Sequence, residues 1–246
     1  MDWIGIWNSD RGMTGWQFAG TRVAVRLDTE ACRTAFDSLS ADRILVAGAD
    51  TAPPEALPAA IMPEQLLSGS GALVLPGLEQ GNPRHRMDAA RLAAIGFLSL
   101  NLDWDGVICL PGRVTHWLTL SAGEAVFLQS ALSLSLAGAV GMAVSDLDTA
   151  ALSEGQSRPE RLASALRSAA LSGADGTALG WLIGAELAAT RALWLGQQVA
   201  ILGDGAEAAA YRRALETQGL PVTVASAEQM GEKGMLALGT KFGLTR

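Results

Sequence analysis

A repeated order of short β-prone runs and helical stretches is the feature that most limits what this chain can fold into. It opens with "WIGIW" (3–7), "TGWQFAG" (14–20) and "RVAVRLD" (22–28), three runs parted by turn residues. Runs of this length and composition predict three strands joined by tight hairpins. "TEACRTAFDSL" (29–39) has helical spacing with Thr29 at its N-cap, and "RILVAGA" (43–49) reads as a buried strand. The proline-rich passage 52–63 reads as loop, "GALVLPG" (71–77) as a strand and "DAARLAAIGFLSL" (88–100) as a helix.

The second half gives the same order. Strands are expected at 105–112, 116–121 and 124–129, then a helix through 130–137. A mostly helical insertion follows at about 145–196, containing "RPERLASALRSAAL" (158–171) and "ALGWLIGAELAATRALWL" (178–195). The strand 198–203, the helix 206–219, the strand 221–226 and a helix from about 227 to 238 complete the chain. Two β-β-β-α-β-α passages predict an α/β protein of two domains, 1–101 and 102–246, each a mixed sheet with helices. Two such domains facing each other leave a central cleft, a frequent place for small ligands.

Bulk properties narrow the class further. Of 246 residues, 49% are hydrophobic and 17% charged, which gives enough apolar material for sizeable cores and excludes disorder. The net charge is -7 with no Lys/Arg-rich block, which argues against nucleic acid and anionic membrane as partners. Two separated cysteines, Cys32 and Cys109, exclude a disulfide framework and, with two histidines, make a zinc site improbable. "MDWIGIW" lacks the basic start of a secretion signal, and "SALSLSLAGAVGMAV" (130–144) is too short to span a bilayer. A cytoplasmic protein is expected.

Several turns carry chemical interest. "ILGDGAEAAAY" runs from a strand through a glycine turn into a helix N-terminus, where free amides suit a phosphate or ribose. Gly203, Asp204 and Gly205 are therefore candidate nucleotide contacts, although a plain β-α turn explains them equally well. "LPG" at 75–77 and 110–112 ends two strands, making Gly112 a second candidate for that side. Glu186, inside an apolar helix, needs a partner, with Arg191 the nearest base in sequence. Asp10-Arg11-Gly12-Met13-Thr14 reads D-x-G-x-T, a phosphate-loop pattern, yet Asp10 and Gly12 also suit an ordinary hairpin tip.

Five stretches carry a resemblance: "LVLPGL" (73–78), "RMDAARLAAIG" (86–96), "LPGRVTHW" (110–117), "LGWLIGAELAATR" (179–191) and the "ILGDG" to "GLPVTVA" end. In these the chain resembles the 2-dehydro-3-deoxygalactonokinase family, within the superfamily of sugar kinases, actin and heat-shock-protein ATPases. The resemblance implies two ribonuclease-H-like (actin-like ATPase) domains and ATP-dependent phosphorylation of 2-keto-3-deoxy-galactonate or a related sugar acid. It implies ATP and Mg²⁺ as cofactors, with a homodimer among the assemblies it allows. Ser9 and Gly12 then fall on the nucleotide side with Gly112 and Gly203–Gly205. Arg86, Arg113, His116 and Arg11 become candidates for the substrate carboxylate, because guanidinium matches its two oxygens. Asp88 is the candidate base, with Asp10 in reserve for catalysis and for the metal.

The chemical motifs depart from the family. Its strand-end Asp-Trp-Gly-Ser-Thr falls, without gaps, on Trp7, Asn8, Ser9, Asp10 and Arg11. Its Pro-Gly-Thr-His-Ser-Lys-Trp falls on 111–117, leaving Val114 at the histidine position and His116 at the lysine position. Its Arg-Gly-Glu-Glu reads Arg86-Met87-Asp88-Ala89, and the glutamate of a later Thr-Gly-Glu is absent from "SALSLS". Two functions stay open at this point: a sugar-acid kinase, or a degenerate relative that binds a sugar acid or nucleotide as a sensor or partner subunit. A dinucleotide-binding oxidoreductase is disfavoured by the three leading strands and the lack of G-x-G-x-x-G.

Overall fold

The computed structural model describes residues 2–49, 52–69, 71–144 and 146–245. The first strands are β1 (Asp2–Ser9), β2 (Gly12–Ala19), β3 (Arg22–Leu27) and β4 (Ile44–Ala47), with helix α1 (Thr29–Ser38) between the last two. Six short strands follow: β5 (Glu55–Ala56), β6 (Ala59–Ala60), β7 (Leu67–Gly69), β8 (Ala72–Leu75), β9 (Leu78–Gln80) and β10 (His85–Met87). After α2 (Arg91–Leu100) come β11 (Gly106–Leu110), β12 (Thr115–Ser121) and β13 (Glu124–Ala131). The helices α3 (Ser133–Ala139), α4 (Thr149–Ser157), α5 (Leu162–Ser172), α6 (Asp175–Ala189) and α7 (Arg191–Trp194) lead to β14 (Val199–Leu202). α8 (Gly205–Thr217), β15 (Val222–Ala225) and α9 (Ala227–Lys241) close the chain.

These elements form two compact units, one of residues 1–104, 120–128 and 227–246, the other of 105–119 and 129–226. Two later segments thus return to the first unit, so the units are not parted by a single cut near residue 101.

In the first unit the sheet order is β3-β2-β1-β4-β8-β7. β1 pairs antiparallel with β2 and parallel with β4, and β4 pairs parallel with β8. The period-2 alternation of β1 assigns its faces. Ile4 and Ile6 join Leu27, Cys32 and Ile44 in a core beside α1. The odd residues meet α9: Gly5 lies against Met235, Trp7 against Gly231 and Trp3 against Gly239. Trp3 also stacks on Phe18 at 4.1 Å between ring centroids. α9 packs on α2 backbone to backbone, since a Cβ on Gly96 would stand 1.8 Å from the Met230 carbonyl oxygen. The α1 cap differs from expectation: the Ala31 amide donates to the Asp28 carboxylate at 2.9 Å, and the Thr29 hydroxyl donates to the Met13 carbonyl. The passage 52–63 is not all loop, for β5 pairs with β9, and Ala59–Ala60 of β6 pair with Ala125–Glu124.

The second unit repeats the order as β15-β14-β11-β12-β13, with β11, β14 and β15 parallel. β11 is buried throughout and β14 likewise, as continuous apolar strands covered on both faces should be. Their core gathers Val107, Cys109, Trp117, Ile183, Leu187 and Tyr211. α4 and α6 approach closely because Gly155, Gly180 and Gly184 each face a neighbouring backbone at under 3 Å from a would-be Cβ. Among the described residues no helix is long and apolar enough to cross a membrane.

The α2–α9 contact yields a direct test. Gly96→Ala forces a methyl into the Met230 carbonyl and should destabilise the protein by about 3 kcal/mol, the upper end of ordinary overpacking, measured by urea unfolding.

Candidate functional site

The hairpin tip that carries Asp10 is closed by its own residues. The Ser9 hydroxyl donates to the Gly12 carbonyl at 3.1 Å and accepts the Arg11 amide at 3.3 Å. Gly12 has φ +114°, a conformation that glycine adopts without strain. Asp10 and Arg11 stand exposed beyond the end of β1. Trp7, at the β1 end, is half-buried and held on three sides. Its indole N–H donates to the Ala89 carbonyl at 2.8 Å, its ring stacks on Trp16, and Gly231 leaves the space it fills.

Arg86 and Asp88 prove to be one group rather than two. The Arg86 Nε lies 2.9 Å from both Asp88 oxygens and its Nη2 lies 2.8 Å from Oδ1, while Nη2 also donates to the Ala52 carbonyl. Both side chains are about a quarter to a third exposed, at 30% and 24%, so the pair is solvent-reachable at one edge. The Asp88 carboxylate also packs on Gly77, where any Cβ would meet Oδ1 at 2.3 Å. The "LPG" turn at 75–77 is therefore the seat of this ion pair.

Beneath it lies a residue that the sequence reading passed over. Arg91, at the head of α2, has no solvent exposure. Its guanidinium donates to the carbonyls of Ile61, Pro76 and Ala60 and to Glu55 Oε2, at 2.7–3.0 Å. Burial lowers its pKa, with Glu55 opposing, but an arginine stays protonated across the accessible pH range. The one available signal was a lone arginine within the apolar stretch "DAARLAAIG".

In the second unit the two glycine turns meet. Pro111 ends β11 and Gly203 ends β14, and the proline ring lies 3.3 Å from where a Gly203 Cβ would be. The Gly203 amide donates to the Ala225 carbonyl. Asp204 occupies the cap position of α8 with extended backbone, and Gly205 follows at φ +65° with open space around it. Arg113 and Val114 are exposed, and the Arg113 carbonyl accepts the Ser135 hydroxyl. His116 is 9% exposed, with Nδ1 2.9 Å from the Ser130 hydroxyl across β12 and β13.

Glu186 is 4% exposed, and its partners are neutral donors. Trp117 Nε1 donates to Oε1 and Tyr211 Oη to Oε2, each at 2.8 Å, and the Ser133 hydroxyl is a third partner. Arg191, the partner expected from sequence, is exposed. Tyr211 Oη is also 3.0 Å from the Thr115 hydroxyl. Burial raises the Glu186 pKa, while bonds from Ser133, Trp117 and Tyr211 pull it down. Burial also pushes up the Cys109 thiol and the Tyr211 hydroxyl, with Glu186 adding to both.

The family resemblance implies ATP with Mg²⁺. Among the described residues no three His, Cys, Asp or Glu side chains are grouped so as to hold a metal ion. Asp88 is committed to Arg86, and Trp7 has no oxygen ligand to offer. The described residues do not fit a magnesium ion held by a protein carboxylate set.

The raised Glu186 pKa has a definite sign. An acid with a folded pKa above its unfolded value binds its proton more tightly when folded. That stability is complete below the ordinary carboxyl range and is lost as pH rises through the raised value. Wild type should therefore gain stability relative to Glu186→Gln as pH falls from neutral toward the ordinary carboxyl range. A difference independent of pH, in paired urea titrations, would contradict this.

A family model described as 2-keto-3-deoxy-galactonokinase matches residues 47–238. Among curated proteins none matches significantly. A candidate 2-dehydro-3-deoxygalactonokinase from Sinorhizobium meliloti is similar with a TM-score of 0.80, 20% identity, and coverage of 97% of this chain and 98% of that one. The activator of the 2-hydroxyisocaproyl-CoA dehydratase from Clostridium difficile, solved with ADPNP, has a TM-score of 0.53 at 10% identity, covering 99% and 96%. Component A of the (R)-2-hydroxyglutaryl-CoA dehydratase from Acidaminococcus fermentans has 0.50 at 10%, covering 99% of both chains. At these identities the likenesses show the fold: two α/β units with mixed sheets and helices.

Proposed function

The chain belongs to the 2-keto-3-deoxy-galactonokinase family, and from that premise we propose that it is an ATP-dependent kinase of a 2-keto-3-deoxy sugar acid. The family match over residues 47–238 carries this reading. Local geometry supports it in two places. The Gly203–Gly205 turn leads into the head of α8 with open space around Gly205, the kind of helix N-terminus that suits a nucleotide phosphate or ribose. In the first unit Arg86 and Asp88 put a fork of donors and a carboxylate on one solvent-reachable edge.

The role of each follows from its chemistry. Arg86 recognises the substrate carboxylate through its partly exposed guanidinium, and Asp88 accepts the proton of the attacking hydroxyl. Gly112, Gly203, Asp204 and Gly205 serve the nucleotide, with Arg113 in the loop before β12 and His116 on β12 as further anion donors. The Mg²⁺ that the family implies is read as a companion of the nucleotide's phosphates. Sugar acid and ATP are the expected partners, and the cytoplasm the expected compartment.

A second reading is favoured by one specific observation. Trp7 is locked at the β1 end by Ala89, Trp16 and Gly231, where the family carries an aspartate. A protein with this substitution and with Asp88 bound up by Arg86 can bind its ligands without transferring phosphate.

A coupled ADP-release assay across 2-keto-3-deoxy sugar acids separates the two. The kinase reading expects sugar-dependent ADP release that falls about 100-fold or more in Asp88→Asn, the usual worth of a general base. Silence at high enzyme concentration, with ATP still raising Tm, supports the binding protein instead.

A further inference from the structure

Glu186 lies outside every role assigned above, yet it joins the elements that carry the second unit's candidates. Oε1 takes the indole N–H of Trp117 on β12, Oε2 takes the hydroxyl of Tyr211 on α8, and Ser133 opens α3. Thr115, also on β12, closes the circuit through Tyr211. Strand alternation puts Thr115 and Trp117 on one face and His116 on the other, where it meets Ser130. The network thus grips β12 from behind the face that carries His116. Tyr211 is six residues into α8 from Gly205, about 9 Å along the helix axis. Its bond fixes how far that helix, and the glycine turn at its head, sits from β12.

From this geometry we infer that Glu186 is a positioning residue, which through Trp117 and Tyr211 sets the Gly203–Gly205 turn against the β12 segment and thereby tunes nucleotide binding. The inference rests on the reading of that turn as the nucleotide side. Glu186 touches no ligand candidate itself. The requirement is for a connected acceptor between two donors rather than for a charge. Glutamine meets it: its carbonyl accepts from Trp117, and its amide donates to Tyr211 Oη, which turns to donate to Thr115. Alanine removes the connection altogether, and Tyr211→Phe removes only the α8 arm.

The test is calorimetric titration of ATP in magnesium buffer into wild type, Glu186→Gln, Glu186→Ala and Tyr211→Phe. It is run well below each protein's Tm, with folding checked by circular dichroism. The expected result is a Kd within about twofold of wild type for Glu186→Gln and raised about tenfold for Tyr211→Phe, with Glu186→Ala following Tyr211→Phe if it folds. A merely structural role lowers Tm but leaves Kd untouched in a folded variant. An unchanged Kd in Tyr211→Phe therefore overturns the inference while leaving the nucleotide reading intact. Wild type that takes up no ATP overturns both.

Discussion

A guanidinium with no access to water organises the first unit. Arg91 spends its donors on the carbonyls of Ala60, Ile61 and Pro76 and on Glu55, four points on segments of little regular structure. Stripping an arginine of water costs several kcal/mol, and the burial is tolerable only because each donor finds an acceptor. In return the proline-rich passage and the turn at 76–77 gain the fixed geometry that their own short strands cannot supply. The Arg86–Asp88 pair sits on that turn. Whatever the pair does, it does from a platform held by Arg91.

The second unit uses the opposite charge for a similar end. Glu186 is ringed by neutral donors, so its burial is balanced by hydrogen bonds rather than by a counter-charge. Such a network is high in stakes, since losing one member leaves the others unpaired in a medium of low dielectric. The pressure falls on β12, α6 and α8 together. One unit is thus braced by a cation amid carbonyls and the other by an anion amid hydroxyl and indole groups.

The architecture was legible in the sequence because it depends on local periodicity. β1 alternates Trp3, Ile4, Gly5 and Ile6 between two covered faces, and the apolar β11 and β14 declare themselves buried. What escaped were features set by distant partners. Nothing near Arg91 in sequence announces carbonyls 15 to 31 residues away. Glu186 needs a partner, and the sequence offers Arg191 nearby, whereas two of its donors lie 25 and 69 residues off. Asp28 replaced Thr29 as a cap because the hydroxyl found the Met13 carbonyl instead. Arg86 and Asp88 were both picked out for chemistry, yet only the folded strand end shows them gripping each other. The family match begins at residue 47, so the β1 loop lies outside it.

The setting of Trp7 also bears on what position 7 can accept. Its indole is matched to a missing side chain at Gly231, to the Trp16 ring and to the Ala89 carbonyl. A short acid at that position would leave a void beside α9 and strand the carbonyl that the indole N–H now satisfies. Placing a short acid at position 7 would therefore call for coordinated changes across three segments. The tryptophan is thus part of the scaffold of the first unit, tying β1 to α9 and to the segment before α2.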